Sequence, residues 1–189
     1  MGGLDGWAVS QGCLAIRSRA VVSDPDPYVD EMVSAIAKSA GETQALKTLD
    51  GLASRLNVPH LRQVVLMKKA KMLYALSRFS DCLAALDEAD GVSGGSVRPQ
   101  KDLSTVILRA TAQLQLAKYD EALASLAKTG DAAGTPDEKA QVLFLTGWAQ
   151  LKNNSKTQAM DTFRRLTQDH PGTTSAGKAM TLLRRLEGE

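Results

Sequence analysis

Residues 140–173 read AQVLFLTGWAQLKNNSKTQAMDTFRRLTQDHPGT. Two amphipathic helices are written into this stretch. Leu143, Gly147 and Leu151 recur at the spacing of one helical face. Lys152 to Ser155 then form a short polar break, and Ala159, Phe163 and Leu166 set up a second apolar stripe. Pro171-Gly172 ends it, because proline cannot continue a helix and glycine readily leaves one. A short loop between two helices makes them antiparallel neighbours. Gly147 and Ala159 mark the closest approach of the two backbones, where a larger side chain would hold them apart.

Working outward, the same hairpin recurs three times. The small–large–apolar series of the second helix is Ala122, Leu126, Thr129; Cys82, Leu86, Ala89; and Ala45, Leu49, Leu52. The small residues at 45, 82, 122 and 159 are 37, 40 and 37 residues apart, a period that belongs to stacked helical hairpins. The preceding helices carry Val29, Met32, Val33 and Ile36; Leu66, Ala70 and Leu73; and Val106, Ala110 and Leu114. Loops within hairpins are expected at Ser39-Ala40-Gly41, Ser77-Arg78 and Ala117-Lys118. Breakers between hairpins lie at Asn57-Val58-Pro59, at Gly91 to Pro99 and at Gly130 to Pro136. Asp26-Pro27 and Thr135-Pro136-Asp137-Glu138 read as helix starts, and Thr173-Thr174-Ser175 as the cap of one more helix. No segment alternates with period two, so no strand is expected.

The expected fold is therefore all-α: a right-handed α-solenoid of about four antiparallel helical hairpins plus a C-terminal capping helix. The expected organisation is an N-terminal extension over 1–25, hairpin repeats at 26–59, 63–96, 103–136 and 140–173, and the cap at 174–189. Leu4, Trp7, Ala8, Gln11, Leu14 and Ala15 place a helix or an unstructured lead-in within the extension. In the cap, Ala176, Ala179, Met180, Leu182, Leu183 and Leu186 form the apolar stripe. Lys178, Arg184, Arg185 and Glu187 form the wet face.

These positions resemble the tetratricopeptide repeat (TPR) family and its bacterial TPR-like members, whose pattern is W-x2-L-G-x2-Y, then A-x3-F, then a late proline. The fourth repeat matches best, through Leu143, Gly147, Ala159, Phe163 and Pro171. The third matches through Ala110, Tyr119, Ala122 and Leu126, and the second through Ala70, Phe79, Cys82 and Leu86. The first, with Val33, Ala45 and Leu49, is degenerate. The usual tyrosine of the first helix is missing from the third and fourth repeats, and Lys156 replaces the aromatic before the last second helix.

The resemblance implies a concave groove lined by the first helix of each hairpin, binding a peptide or partner protein. By register the groove residues are Met67, Lys71 and Tyr74; Ile107, Thr111 and Gln115; and Gln141, Phe144, Trp148 and Lys152, with Ser104 one turn earlier. Trp148 and Phe144 have an alternative place, packed into the following helix. The clamp with which some relatives hold a chaperone-tail carboxylate is not matched, because its places hold Asp30, Ser34, Lys71, Ser104 and Leu108.

Charge and motifs narrow the classes further. The 189 residues carry 23 basic and 21 acidic side chains, a net charge of +2, so no nucleic acid is expected as partner. The densest basic spot, Lys68, Lys69 and Lys71, reads as a solvated helix face or a contact for an acidic peptide. His60 and His170 sit beside prolines between hairpins without ligand-spaced partners, and no phosphate loop or nucleophile motif occurs. The expectation is no catalytic residue, no metal, no cofactor and no enzyme. Cys13 and Cys82 are too far apart for a disulfide framework, and Cys82 falls on an apolar stripe. No transmembrane span and no signal peptide is expected. Localisation defaults to the cytoplasm. The alternative, for a fragment of an exported protein, is the bacterial periplasm, since TFRRLTQDHPGTTSAGKAMTLLRRL is similar to bacterial envelope repeat proteins. The competing functional expectation is a structural or self-associating module in a larger assembly or longer solenoid, in envelope assembly for instance.

Overall fold

The computed structural model describes residues 26–92, 103–129 and 134–188. Residues 1–25, 93–102, 130–133 and 189 lie outside them, and with them the N-terminal extension with its expected helix or lead-in, Cys13 and most of the Gly91–Pro99 break. The described residues contain helices and no strand. The chain divides into two compact units, Met1–Val97 and Arg98–Glu189.

The first unit holds α1 (Asp26–Ala40), α2 (Glu42–Arg55), α3 (Pro59–Ala75) and α4 (Phe79–Val92). Helices α1 and α3 lie side by side, with α2 packed on both and α4 packed on α3. The core joins Leu49, Leu52 and Ala53 of α2 to Val65 and Leu66 of α3 and Ala89 of α4. Pro59 occupies the first turn of α3, where its missing N–H has no partner to lose. His60 is therefore helical and exposed, a correction to its expected place in the loop. Lys69 pairs with Asp50 at 2.6 Å and Arg62 with Glu88 at 2.7 Å, so two of this unit's cations tie neighbouring helices together.

The second unit holds α5 (Leu103–Gln115), α6 (Tyr119–Ala127), α7 (Pro136–Lys152), α8 (Lys156–Asp169) and α9 (Thr174–Glu187). Helix α7 packs between α5 and α9, and this layer is backed by α6, against α5 and α7, and by α8, against α7 and α9. Every site where the sequence demanded a small residue is sealed. Ala45, Ala70, Cys82, Ala110, Ala122 and Ala159 are all 0% exposed. At Gly147 a Cβ would stand 2.5 Å from Cε1 of Phe163, well inside contact distance. Phe163 itself is fully buried among Ala140, Ala159, Leu166, Ala176, Ala179, Leu183 and Leu186.

Three hairpin corners share one geometry. Ser77, Ala117 and Asn154 adopt left-handed φ of 59°, 57° and 60°. The next residue's N–H then reaches back to the helix: Arg78 to Leu73 O (2.9 Å), Lys118 to Gln113 O (2.9 Å), Ser155 to Gln150 O (2.8 Å). This is the six-to-one bond that satisfies the last carbonyls of a helix. The α1–α2 corner differs, turning on Gly41 at φ 85°. Helix α7 opens with a full capping box, in which Thr135 Oγ1 accepts from Glu138 N (3.2 Å) and Glu138 Oε2 accepts from Thr135 N (2.8 Å). Helix α9 opens on Thr173, whose Oγ1 accepts from Ala176 N at 3.2 Å. Arg164 of α8 donates to Glu187 of α9 at 2.9 Å, and this hydrogen bond raises the pKa of its guanidinium. Among the described residues no helix is long and apolar enough to cross a membrane.

Candidate functional site: the α5–α7–α9 face

The missing tyrosines of the third and fourth hairpins have a structural replacement. Gln150 of α7 accepts a hydrogen bond from Thr162 Oγ1 of α8 at 2.8 Å, a polar tie across the hairpin. The same register one hairpin earlier holds Gln113 and Ser125, both buried, and there Gln113 Oε1 has no partner. A smaller rung in place of a tyrosine leaves the large side chains of this layer to other positions.

Those positions are Phe144 and Trp148, one turn apart on α7 and both half-buried. Phe144 leans on Phe163, with centroids 5.9 Å apart and an interplanar angle of 41°. Its ring also carries the ammonium of Lys178, reaching over from α9 at 5.9 Å. Trp148 is covered from the next turn by Lys152, whose Nζ stands 5.0 Å from the ring centroid. Both lysines are exposed, and among the described residues neither has an ion-pair partner. Phe144 thus both packs on the following helices and stays part of the surface.

The other residues assigned by register lie on α7 itself and on the adjoining α5. Gln115 and Gln141 are exposed, and Ile107 is half-buried against the Ala110–Leu126–Leu145 cluster. Thr111 donates its hydroxyl proton to Ile107 O (2.8 Å) and Leu108 O (2.9 Å), so toward a ligand it can only accept. Helices α5 and α7 bring Ile107, Thr111, Gln115, Gln141, Phe144, Trp148 and Lys152 onto adjoining helices of one unit. Met67, Lys71 and Tyr74 belong to α3 of the other unit. There Met67 packs against the core, Lys71 is exposed, and Tyr74 meets Phe79 edge-on at 5.4 Å.

One residue of this face escaped the sequence reading. Lys178, expected on the wet face of the last helix, is exposed and in addition lies over the Phe144 ring. The signal was available, since 178 follows 144 by 34 residues, one repeat of the family pattern. Leu182 stands in the same relation to Trp148. Chemically the face is a mixed apolar and polar strip with two cations. Among the described residues no group of three metal-binding side chains gathers.

No family model and no curated protein matches the chain. Solved structures do. The MamA RS-1 ArsTM double mutant aligns over 88% of this chain and 96% of its own, at 16% identity and a TM-score of 0.61. MamA residues 41 to the end, from Desulfovibrio magneticus RS-1, aligns over 88% and 97%, at 16% identity and 0.60. MamA MSR-1 C2 aligns over 87% and 88%, at 17% identity and 0.58. MamA is a TPR-like helical repeat protein, so this chain has an all-α, TPR-like helical-repeat fold.

Proposed function

We propose that the protein is a non-catalytic interaction scaffold whose α5–α7–α9 face binds a peptide or a segment of a partner protein. The observation that carries this reading is the half-buried Phe144–Trp148 pair, whose rings lie under the exposed Lys178 and Lys152. Aromatic anchors ringed by polar groups are what a peptide groove offers. TPR-like folds of the MamA kind serve as interaction scaffolds and oligomerisation modules, in keeping with it. In this reading residues 26–173 form four repeats, at 26–59, 63–96, 103–136 and 140–173, and 174–189 close the array. Met67, Lys71 and Tyr74 supply the equivalent face of the second repeat.

The test is affinity capture from the native host with the wild type, Trp148→Ala and Tyr74→Ala, each checked for an unchanged helical spectrum. Loss of partners with Trp148→Ala is the expected result. Equal recovery with all three overturns the groove. A second reading, self-association, is favoured by Met180, which stays 41% exposed on the final helix. Its mark is a concentration-dependent mass in sedimentation that Met180→Lys abolishes.

A further inference from the structure

Both cation–ring contacts between described residues fall on one stripe of α7. Lys152 stands one turn beyond Trp148, at the i+4 position where helical side chains meet. Helical side chains lean back toward the N-terminus, which carries Lys152 over the indole and sets its Nζ 5.0 Å from the ring centroid. Lys178 reaches the Phe144 ring from α9, with its Nζ at 5.9 Å. The two covers thus have separate roots, one local and one tertiary, on rings one turn apart. A lysine suits this place because its stem lies on apolar surface while its ammonium stays in water. The aromatic pair of the first unit is closed differently, since Tyr74 and Phe79 meet edge-on at 5.4 Å, ring against ring.

A cover of this kind is easily removed. Among the described residues no carboxylate pairs with either lysine, so the ring contact is what a swing of the stem gives up. An exposed contact between a cation and a ring favours the covered state about two- to five-fold. We infer that Lys152 and Lys178 are displaceable covers for Trp148 and Phe144, which an apolar ligand group moves aside to reach the rings. In the free protein the covers interrupt what would be a joined aromatic patch, the kind of surface that draws unspecific partners. A ligand that fits the rings sends both ammonium groups into water and takes over the area they covered. The uncovered state is the binding-competent one, so each cover lowers the affinity of its ring about three- to six-fold. The inference deepens the groove reading above and rests on it.

Acrylamide quenching of Trp148 tests the cover without any ligand. The chain has two tryptophans, so Trp7→Phe leaves Trp148 as the sole reporter. In that background Lys152→Ala is expected to raise the Stern–Volmer constant about three-fold. Lys152→Arg, which still reaches over the indole, and Lys178→Ala, whose ring is Phe144, should leave it unchanged. The second probe is Nile red, a neutral apolar dye. Lys152→Ala and Lys178→Ala should each tighten its binding about three- to six-fold, each variant being checked for an unchanged helical spectrum. Quenching that Lys152→Ala does not raise, or dye binding that neither variant tightens, overturns the inference. The groove reading is judged separately, by partner capture. Raised quenching with capture indifferent to Trp148→Ala keeps the covers and overturns the groove. Unchanged quenching with capture lost in Trp148→Ala overturns the covers and keeps the groove.

Discussion

Replacing Gly147 with alanine sets two known effects against each other. In an open helix the change stabilises by up to about 1 kcal/mol, because glycine is the poorer helix former. At Gly147 the new Cβ would stand 2.5, 2.8 and 2.9 Å from three carbons of the Phe163 ring. Carbon atoms pack best about 3.5–4.0 Å apart. The ring would have to retreat by about 1 Å to restore that distance. It has nowhere to go, since Phe163 is 0% exposed and enclosed by α7, α8 and α9. Overpacking of this kind costs about 1–3 kcal/mol. The clash outweighs the propensity gain, and the net loss is about 1–2 kcal/mol. The assay is urea unfolding followed by circular dichroism, in which the midpoint should fall by about 0.5–1 M at unchanged slope. Gly177→Ala in α9 is the internal comparison, since a Cβ there meets nothing within 4 Å, and it should raise the midpoint. Phe163→Leu should recover part of the Gly147→Ala loss in a double-mutant cycle, since the ring is the obstacle. A Gly147→Ala protein as stable as the wild type, or no coupling to position 163, would refute the reasoning. The displaced ring would also press on Phe144, 5.9 Å away, so the variant should bind groove ligands more weakly.

Ala117→Gly should stabilise the second unit by about 0.5 kcal/mol, read as a small rise in midpoint, because alanine at φ 57° bears a left-handed strain that glycine lacks. Thr135→Ala should cost about 1 kcal/mol through loss of the capping box, and thermal unfolding would show it. Gln113→Leu should be neutral or stabilising by about 1 kcal/mol, since it removes a buried acceptor without a partner. Gln150→Leu should instead cost about 1 kcal/mol by breaking the bond to Thr162, and the pair is compared by urea midpoints. Ala159→Leu should lower the midpoint by the equivalent of about 1–3 kcal/mol, because the site is sealed.

The architecture was legible because close packing writes itself into residue size. Where two backbones approach, only Gly, Ala or Cys fits, so Cys82, Ala122, Ala159 and Gly147 announced the hairpins before any contact was seen. The hairpin corners were located but not their geometry. Ser77, Ala117 and Asn154 share a left-handed turn that glycine would ordinarily mark, and only Gly41, in the deviant first corner, carried that mark. His60 was misplaced because a proline reads as a breaker, whereas at the first helical turn it is a starter. The face itself was partly legible. Periodicity put Phe144 and Trp148 on one stripe, but a cation arriving from α9 depends on tertiary packing, and Lys178 looked like ordinary solvated charge. The polar rung of Gln150 and Thr162 escaped notice for the same reason, since two ordinary polar residues twelve apart carry no pattern of their own.

The central claim is that ligands engage the α5–α7–α9 layer rather than the helices behind it. Amide and indole shifts of the isotope-labelled full chain, titrated with a partner segment recovered by the affinity capture, test this most directly. The account predicts saturable shifts at the Trp148 indole and at Thr111, Gln115, Gln141, Lys152 and Lys178, with α6 and α8 nearly silent. Shifts concentrated on α6 and α8, or a Trp148 indole that does not move at saturation, would contradict it.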